Sequence, residues 1–450
     1  MFIRKQKAVP KGRAARLTGL AGFAGKVATS MVVDGSKKLL SGERPELSDL
    51  LLQPKHAQGL TQQLSTLRGA AMKMGQMLSM DSGALLPPEW ANVLASLQSQ
   101  AYAMPATQLI EQLERDWGAD WQTPWQQFSF DPVAAASIGQ VHRGRHHRYG
   151  DLAIKVQYPG VKPSIDSDID NLVGLLRMSR MVPSGEAFDA LVSEAKQQLH
   201  KEADYRQEAA HLTLYRDLLN QHFSAADQVR LPKVFEDLSS DQILAMSYVQ
   251  GSPLDKVLDQ GQAAADELMT LVFRLFFCEF WQMHAVQTDP NLGNFQFDSQ
   301  TGQLVLLDFG ALRCFEPNFV ADYTAALVAA RDQQHAPLLA ALEQLGFFSS
   351  YTEKSTDDEH KRLVAEVFML AAEPLRHEGA YDFGQAHLPQ MIRNKAISAR
   401  LNADNWHSPP IDVLFLHRKM AGLYLMAAKL KAKVDVKRLF EQSLKTHTLE

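Results

Sequence analysis

The stretch QTDPNLGNFQFDSQTGQLVLLDFGAL, residues 287–312, carries the pattern that decides the fold. Asp289 and Asn294 are five positions apart in a Gly- and Pro-rich loop, and Asp308 follows an apolar run, 19 positions after Asp289. In phosphoryl-transfer sites an Asp orients or deprotonates the nucleophile, while an Asn and a second Asp bind magnesium. One short β-hairpin fits between the two acidic positions. The stretch therefore predicts a nucleotide site with Asp289 at the catalytic position and Asn294 and Asp308 as magnesium ligands.

Two further elements lie upstream, where apolar and polar residues alternate. PVAAASIGQVH, residues 132–142, is a small-residue turn between predicted strands, and such a turn lets a backbone N–H approach a phosphate. Lys155 stands in the middle of the predicted strand 152–159, where a lysine can neutralise nucleotide phosphates if a glutamate holds it. Asp204 and Glu208 are four residues apart and can share one face of a helix predicted at residues 201–212. The acidic partners that this helix offers are Glu202, Asp204 and Glu208.

Each of these elements has an ordinary explanation when it is taken alone. Three alanines can begin a helix, a lysine on an edge strand can point into water, and Asp and Asn are common turn residues. Their order, spacing and strand–loop context nevertheless agree with one pattern, that of the protein kinases. We therefore predict an α+β, protein-kinase-like two-lobe fold, with a small antiparallel-sheet N-lobe and a helical C-lobe.

The predicted elements divide the chain into four parts: a basic arm (residues 1–40), a helical extension (41–121), an N-lobe with a helical insertion (122–250) and a helical C-lobe (251–450). Strands are predicted at residues 128–132, 139–145, 152–159, 230–238 and 242–249, with helix across about 163–222 and 268–283. A helix is also predicted to begin near Pro317, only a few residues after Asp308. This spacing leaves no long activation segment, so a peptide-phosphorylating kinase is not expected.

Composition narrows the function classes. The chain has 450 residues, of which 46% are hydrophobic and 22% charged, and this mixture is typical of a soluble globular protein rather than a disordered or membrane-embedded one. Residues 1–41 carry nine basic residues and one acid, which leaves 37 basic and 50 acidic residues in the rest. This asymmetry disfavours nucleic-acid binding and leaves an anionic surface as the partner of the basic arm. Two cysteines, Cys278 and Cys314, indicate a reducing compartment.

KMGQ, residues 73–76, lies in a predicted helix before the two lobes and resembles the KxGQ motif of the UbiB/ADCK (AarF-type) family of atypical kinase-like proteins. AAASIGQVH, residues 134–142, resembles the family's replacement for a Gly-rich loop, and EADYRQEA, residues 202–209, resembles its ExD-type element. The resemblance runs from about residue 9 to the C-terminus. It favours a retained, lipid-facing arm at residues 1–40 over a discarded targeting peptide.

The resemblance implies ATP and Mg²⁺ as cofactors and a role for each motif. Lys155 would contact the phosphates and pair with Glu208, and Asp289 would occupy the catalytic position. Residues implied at the nucleotide, including those of the hinge-like strand AMSYVQG, are Ala134, Ala135, Ala136, Ser137, Lys155, Ala245, Ser247 and Val249. Lys73 and Gln76 would cover the active site, with Lys73 near the acids of the ExD-type element, Glu202 and Asp204. In this family that cover blocks the usual protein-substrate groove.

Members of the family are associated with ubiquinone biosynthesis, lipid membranes and ATPase activity. The resemblance thus implies an ATPase that supports polyprenyl-quinone or related lipid metabolism, located in the cytoplasm and peripheral to the inner membrane. The implied partners are an anionic or quinone-type lipid and a quinone-biosynthesis protein complex. Two alternatives stay open: a small-molecule kinase in which Asp289 is the base towards a hydroxyl, and a nucleotide-binding pseudokinase scaffold with little catalysis.

The sequence departs from the family in its catalytic loop. The family commonly reads HADPHPGN, whereas Gln287, Asn291 and Leu292 stand here in place of His, His and Pro. The Asp and Asn are retained, so the departures bear on turnover rate and substrate orientation rather than on binding of Mg–nucleotide. Ser247 stands where an acid is frequent. The C-terminal spanning helices of some bacterial members are absent, so any membrane contact is expected to be peripheral.

Overall fold

The computed structural model describes residues 103–178, 186–348, 356–401 and 409–449. Within them the chain forms two compact units. The first comprises residues 103–209 and Lys233–Tyr248, and the second comprises Ala210–Pro232 and the chain from Val249 onward. The predicted basic arm and most of the helical extension, including Lys73 and Gln76, lie outside the described residues.

The first unit is built on a five-stranded antiparallel sheet. Its strands are β1 (Trp125–Phe128), β2 (Ala134–Ala135), β3 (Gly139–His146), β4 (Gly150–Gln157) and β6 (Ile243–Ser247). They lie in the order β1–β3–β4–β6, and β2 pairs with β3. The helices are α1 (Ala106–Trp117), α2 (Ile165–Met178), α3 (Glu186–Glu202) and the start of α4 (Tyr205–His222). This arrangement confirms the predicted antiparallel-sheet part of a kinase-like fold.

Helix α1 belongs to the core of this sheet rather than to a separate extension. It follows Pro105 and ends before Gly118, whose positive φ of 87° stops the helix. Leu109 and Leu113, four residues apart, are completely buried, and they share a hydrophobic cluster with apolar residues of β4. A boundary drawn at residues 121 and 122 would therefore divide one hydrophobic core.

The second unit is mainly helical. Its described helices, after the end of α4, are α5 (Gln262–Trp281), α6 (Pro317–Arg331), α7 (His335–Gln344), α8 (Thr356–Ala371), α9 (Glu373–Arg376), α10 (Leu388–Leu401), α11 (Ile411–Lys429) and α12 (Val436–Leu449). Its strands are β5 (Val229–Arg230), β7 (Ser252–Pro253), β8 (Ala285–Gln287), β9 (Phe295–Asp298), β10 (Gln303–Leu306), β11 (Leu312–Cys314), β12 (Tyr381–Asp382) and β13 (Lys433–Val434). They form a four-stranded sheet in the order β5–β10–β9–β7 and the two-stranded ladders β11–β8 and β12–β13.

Helix α5 is the centre of the second unit. It is apolar on nearly all sides, as expected of a helix surrounded by protein, and Phe273, Phe280 and Trp281 on it are almost fully buried. The Trp281 ring packs 5.3 Å from the ring of Phe440 on α12. Among the described helices, none combines the length and the apolar character that crossing a membrane requires.

Three predicted elements differ from the structure. The strand predicted at residues 128–132 lies earlier in the chain, because β1 covers Trp125–Phe128 and ends where the predicted strand begins. The predicted strand 230–238 is not one strand: β5 ends at Arg230, Val234 makes an isolated bridge, and Pro232 cannot donate a hydrogen bond to a sheet. β5 pairs in parallel with β10, which explains why Ala210–Pro232 groups with the second unit rather than with the predicted N-lobe. The helical stretch 163–222 is also interrupted, because α3 ends at Glu202 and α4 begins at Tyr205.

Candidate functional site

In the first unit, Lys155 of β4 is held by Glu208 of α4. The Lys155 ammonium donates to both carboxylate oxygens of Glu208 at 2.8 Å, and the two residues are 7% and 3% exposed. The ring of Tyr205 lies 5.1 Å from the same ammonium. A charge so poorly hydrated requires an opposite charge beside it, and the carboxylate fulfils that requirement. Of the three acidic residues offered by the sequence, the structure therefore pairs Glu208 with the lysine.

The other two acids lie elsewhere on the break between α3 and α4. The Glu202 carboxylate accepts a hydrogen bond from the Ser137 hydroxyl at 3.3 Å. Asp204 caps α4, since its carboxylate accepts from the Gln207 N–H, and the Lys162 ammonium lies 3.8 Å away. Asp204 therefore precedes the helix that carries Glu208 and does not share a helical face with it, contrary to the spacing argument.

The alanine-rich segment is a strand that leads into a tight turn. Ala134 and Ala135 form β2 against β3, and the Ala136 N–H donates to the Gly139 carbonyl at 2.9 Å. The tip of the turn is therefore formed by Ser137 and Ile138. Because the hairpin uses the Ala136 N–H, a phosphate bound at this turn would have the backbone N–H groups of the tip to contact.

The hinge-like strand β6 has its backbone partly committed inside the first unit. The Ala245 N–H donates to the Ser239 hydroxyl, and the Ala245 carbonyl accepts from Phe235. The Ser247 N–H donates to the Lys233 carbonyl at 2.8 Å. The backbone N–H groups of Ala245 and Ser247 are thus both used within the unit rather than left for adenine. Val249, in the second unit, is buried.

In the second unit, both carboxylate oxygens of Asp289 are engaged. The Asn294 amide donates to Asp289 Oδ2 at 3.1 Å and to its carbonyl at 3.3 Å. The other oxygen, Oδ1, accepts from the Arg418 guanidinium of α11. Asn291 forms the turn between them, because its side chain accepts from the Gly293 N–H at 3.0 Å. The Asp289 carboxylate is therefore clamped from two sides.

Gln287 connects this loop to Asp308. The Gln287 amide donates to the Asp289 carbonyl at 2.9 Å and to the Asp308 carbonyl at 3.2 Å. A neutral histidine has one ring N–H, so the residue common at this position in the family could make only one of these two bonds. The departure at Gln287 thus keeps the two acidic motifs tied together.

The residues predicted to bind magnesium have suitable donor atoms. The Asn294 amide nitrogen is used by Asp289, so the Asn294 oxygen is the atom that can face a cation. One oxygen of Asp308 accepts from the Gly310 N–H at 3.0 Å, which orients the carboxylate. No cluster of three or more His, Cys, Asp or Glu side chains occurs among the described residues, and Mg²⁺ needs none, because phosphate and water complete its coordination. One amide and one carboxylate oxygen therefore fit this ion.

Sequence reasoning missed three residues that surround the catalytic loop. Arg418 and Lys419 are neighbours on α11, and Glu279 lies on α5, ten residues before Asp289. Burial raises the pKa of Glu279, and the Lys419 ammonium 3.1 Å away opposes that rise. The only signal in the sequence was a pair of basic residues in an apolar helix, which periodicity alone could not connect with a loop more than 120 residues earlier.

Comparison with known proteins finds relatives described as atypical kinases. A family model described as the ABC1 atypical kinase-like domain matches residues 96–341. The chain is 34% identical to the mitochondrial atypical kinase COQ8B of Rattus norvegicus, over 98% of this chain and 82% of that protein. It is 33% identical to the mitochondrial atypical kinase COQ8 of Saccharomyces cerevisiae, over 97% and 86% of the two chains. The solved Rv3197–erythromycin complex from Mycobacterium tuberculosis shares the fold, with a TM-score of 0.57 and 24% identity over 87% of this chain and 96% of that one.

Proposed function

Because the chain belongs to the ABC1 (UbiB/ADCK) family of atypical kinases, we propose that it binds Mg–ATP and hydrolyses it in support of ubiquinone or related polyprenyl-quinone metabolism. The observation that carries the proposal is the buried Lys155–Glu208 pair. A lysine held in this way by a glutamate is the group that contacts nucleotide phosphates in protein kinases. Asn294 and Asp308 would hold the magnesium ion, which neutralises phosphate charge when it is bound.

Water, rather than a peptide, is the proposed acceptor of the phosphoryl group. Helix α6 begins at Pro317, nine residues after Asp308, and β11 occupies part of the interval by pairing with β8. This leaves no extended segment on which a peptide substrate could be held in the way protein kinases hold it.

A membrane surface is the proposed place of action. The basic arm, residues 1–40, is the part of the sequence suited to anionic lipid, because each Lys or Arg near such a surface adds about 1 kcal/mol of attraction. The proposed partners are therefore an anionic or quinone-type lipid and a quinone-biosynthesis protein complex, with the protein peripheral to the inner membrane on its cytoplasmic side.

A nucleotide-binding scaffold with little catalysis is the second candidate. The engagement of both Asp289 carboxylate oxygens favours it, because a clamped carboxylate is less free to accept a proton from an acceptor. The scaffold predicts thermal stabilisation by Mg–nucleotide without turnover. A small-molecule kinase differs from both the ATPase and the scaffold. It would transfer the labelled γ-phosphate of ATP to a metabolite rather than release it as inorganic phosphate.

The deciding experiment measures ATP hydrolysis by the full-length protein, with and without anionic liposomes. The variants are Asp308→Asn, a deletion of residues 1–40, and Asp332→Asn as a matched control, since Asp332 is paired with Arg331 at the end of α6. We expect Asp308→Asn to abolish turnover, Asp332→Asn to leave it unchanged, and the deletion to remove stimulation by liposomes. Wild-type turnover no higher than that of Asp308→Asn would refute the ATPase, and Mg–nucleotide stabilisation alone would then indicate the scaffold.

A further inference from the structure

Arg418 is the basic side chain that helix α11 places against the catalytic loop. The loop itself, residues 289–294, contains no Lys or Arg. Arg418 donates to Asp289 Oδ1, and the two side chains are 10% and 16% exposed. An ion pair so sheltered from water is much less weakened by solvent and salt than one on the surface. The helix therefore supplies a cation that the motif lacks.

Lys419, the next residue on α11, fixes the position of α11 along α5. Lys419 forms an ion pair with Glu279 at 3.1 Å, and both side chains are almost completely buried. The same carboxylate accepts from the Tyr215 hydroxyl at 2.7 Å and from the Gln287 N–H at 3.4 Å. Because Gln287 ends β8, two residues before the catalytic loop, this one carboxylate joins α11, α5 and the strand that leads into the loop. The register of Arg418 against Asp289 follows from it.

A close backbone approach brings the helix and the loop together. Gly422 lies one turn after Arg418 on α11, and a Cβ atom built there would be 2.2 Å from both Cβ and Cγ of Pro290. Glycine in a helix interior is otherwise disfavoured, so its presence is explained by this contact. Arg418 and Gly422, four residues apart, therefore face Asp289 and Pro290, which are adjacent in the loop.

From this arrangement we propose that Arg418 is a positioning residue for Asp289: it holds one carboxylate oxygen while Asn294 holds the other, and so fixes the direction in which the carboxylate accepts a hydrogen bond. The proposal rests on the proposed ATP hydrolysis. An ionised carboxylate has about four lone-pair sites, so a clamped Asp289 can still accept a hydrogen bond from the attacking water. The guanidinium also offsets the negative charge of Asp289, which would otherwise repel the γ-phosphate.

The step that Asp289 orients is a complete hydrolysis. The water oxygen forms a bond to the γ-phosphorus, and the bond between that phosphorus and the bridging oxygen breaks. ADP leaves with the electron pair of the broken bond, and both water hydrogens end on the released phosphate. Arg418 does not take part in bond making, because it acts through the orientation of Asp289.

The test is a double-mutant cycle on the full-length protein, with Arg418→Gln, Asp289→Asn and the combined variant, assayed for steady-state ATP hydrolysis. We expect Arg418→Gln to lower kcat by about 10- to 100-fold, because a displacement of about 1 Å in a positioned group can cost about 100-fold, with KM for ATP changed less than about twofold. Arg418→Lys should restore part of the rate. In the Asp289→Asn background Arg418→Gln should have almost no further effect, since it has no carboxylate to orient.

Asp412→Asn is the matched control, because Asp412 is on α11 and pairs with Arg313 without contacting the catalytic loop. We expect its kcat to equal that of the wild type. Equal losses in kcat for Asp412→Asn and Arg418→Gln, or additive losses for Arg418→Gln and Asp289→Asn, would overturn the positioning role and leave the ATPase intact. Wild-type turnover no higher than that of Asp308→Asn would overturn both. If Arg418→Gln does not fold, Arg418→Lys carries the same cycle, and a wild-type kcat in that variant with a shifted KM would overturn the role.

Discussion

The contact between Gly422 and Pro290 makes the substitution Gly422→Ala a sharp test of how α11 meets the catalytic loop. In an ordinary helix interior, Gly→Ala stabilises by about 1 kcal/mol, because alanine has the higher helix propensity. At Gly422 the added Cβ would be 2.2 Å from two carbon atoms of Pro290. Carbon atoms pack best at about 3.5–4.0 Å, so helix and loop must separate by about 1.3 Å or more.

The expected cost follows from that displacement. Forcing an extra methyl group into a packed site costs about 1–3 kcal/mol, which outweighs or cancels the gain in helix propensity. Gly174 in α2 is the matched control, because a Cβ built there has no heavy atom within 4 Å beyond its own local backbone. We therefore expect Gly174→Ala to stabilise by about 0.5–1 kcal/mol, and Gly422→Ala to be about 1–3 kcal/mol less stable than that variant.

The assay is urea denaturation of both variants and the wild type, analysed by linear extrapolation. A separation of about 1.3 Å also exceeds what a hydrogen bond tolerates, so the hydrogen bond between Arg418 and Asp289 would break. ATP turnover should then fall with little change in KM. If Gly422→Ala is as stable as Gly174→Ala and turns over ATP at the wild-type rate, α11 does not approach the loop closely, and the reasoning is refuted.

Two further predictions concern buried titratable groups. Glu208→Gln should lower the free energy of unfolding by about 3–5 kcal/mol, because it leaves the Lys155 ammonium buried without a counter-charge. In urea denaturation, Lys155→Met combined with Glu208→Leu should recover most of that loss. A loss below about 1 kcal/mol for Glu208→Gln would show that the pair is hydrated. Burial lowers the pKa of His417 to about 4, so the unfolded chain takes up this proton near pH 6.5 and the folded chain does not, and stability should fall by up to about 1.4 kcal/mol per unit as the pH drops from 6.5 to 4. The His417 ring lies 5.1 Å from the ring of Phe368, and His417→Phe keeps a ring at this site. In thermal unfolding, this variant should lose less stability than the wild type between pH 7 and 5. Equal losses would contradict the pKa shift.

The local elements of the fold were predictable because their patterns are complete within a few residues. β3 and β4 follow from alternation of apolar and polar residues, and helix α6 begins at the predicted Pro317. The predicted strand 230–238 failed because its two ends belong to different units, with Pro232 between them. Alternation cannot show which sheet a strand joins.

The sequence by itself determined the family, the kinase-like fold and the motif residues, including Lys155 and its acidic candidates. The family, the fold and the motifs are recognised from residue types at fixed separations along the chain, and the sequence gives these separations directly. The resemblance implied that Glu208 pairs with Lys155, whereas spacing alone also offered Glu202 and Asp204. The tertiary structure shows why Asp204 does not hold the lysine, because a break between α3 and α4 turns Asp204 into a helix cap. Periodicity assumed one continuous helix and therefore placed the two acids on one face.

Only the tertiary structure shows which residues pack against the catalytic loop. Arg418 reaches Asp289 across 129 positions of sequence, guided by the buried Lys419–Glu279 pair and by the space that Gly422 leaves for Pro290. No local pattern encodes such a contact, because it depends on where two distant helices pack. The residues of the loop themselves predicted its chemistry, whereas only the packing of α11 shows that Arg418 holds Asp289.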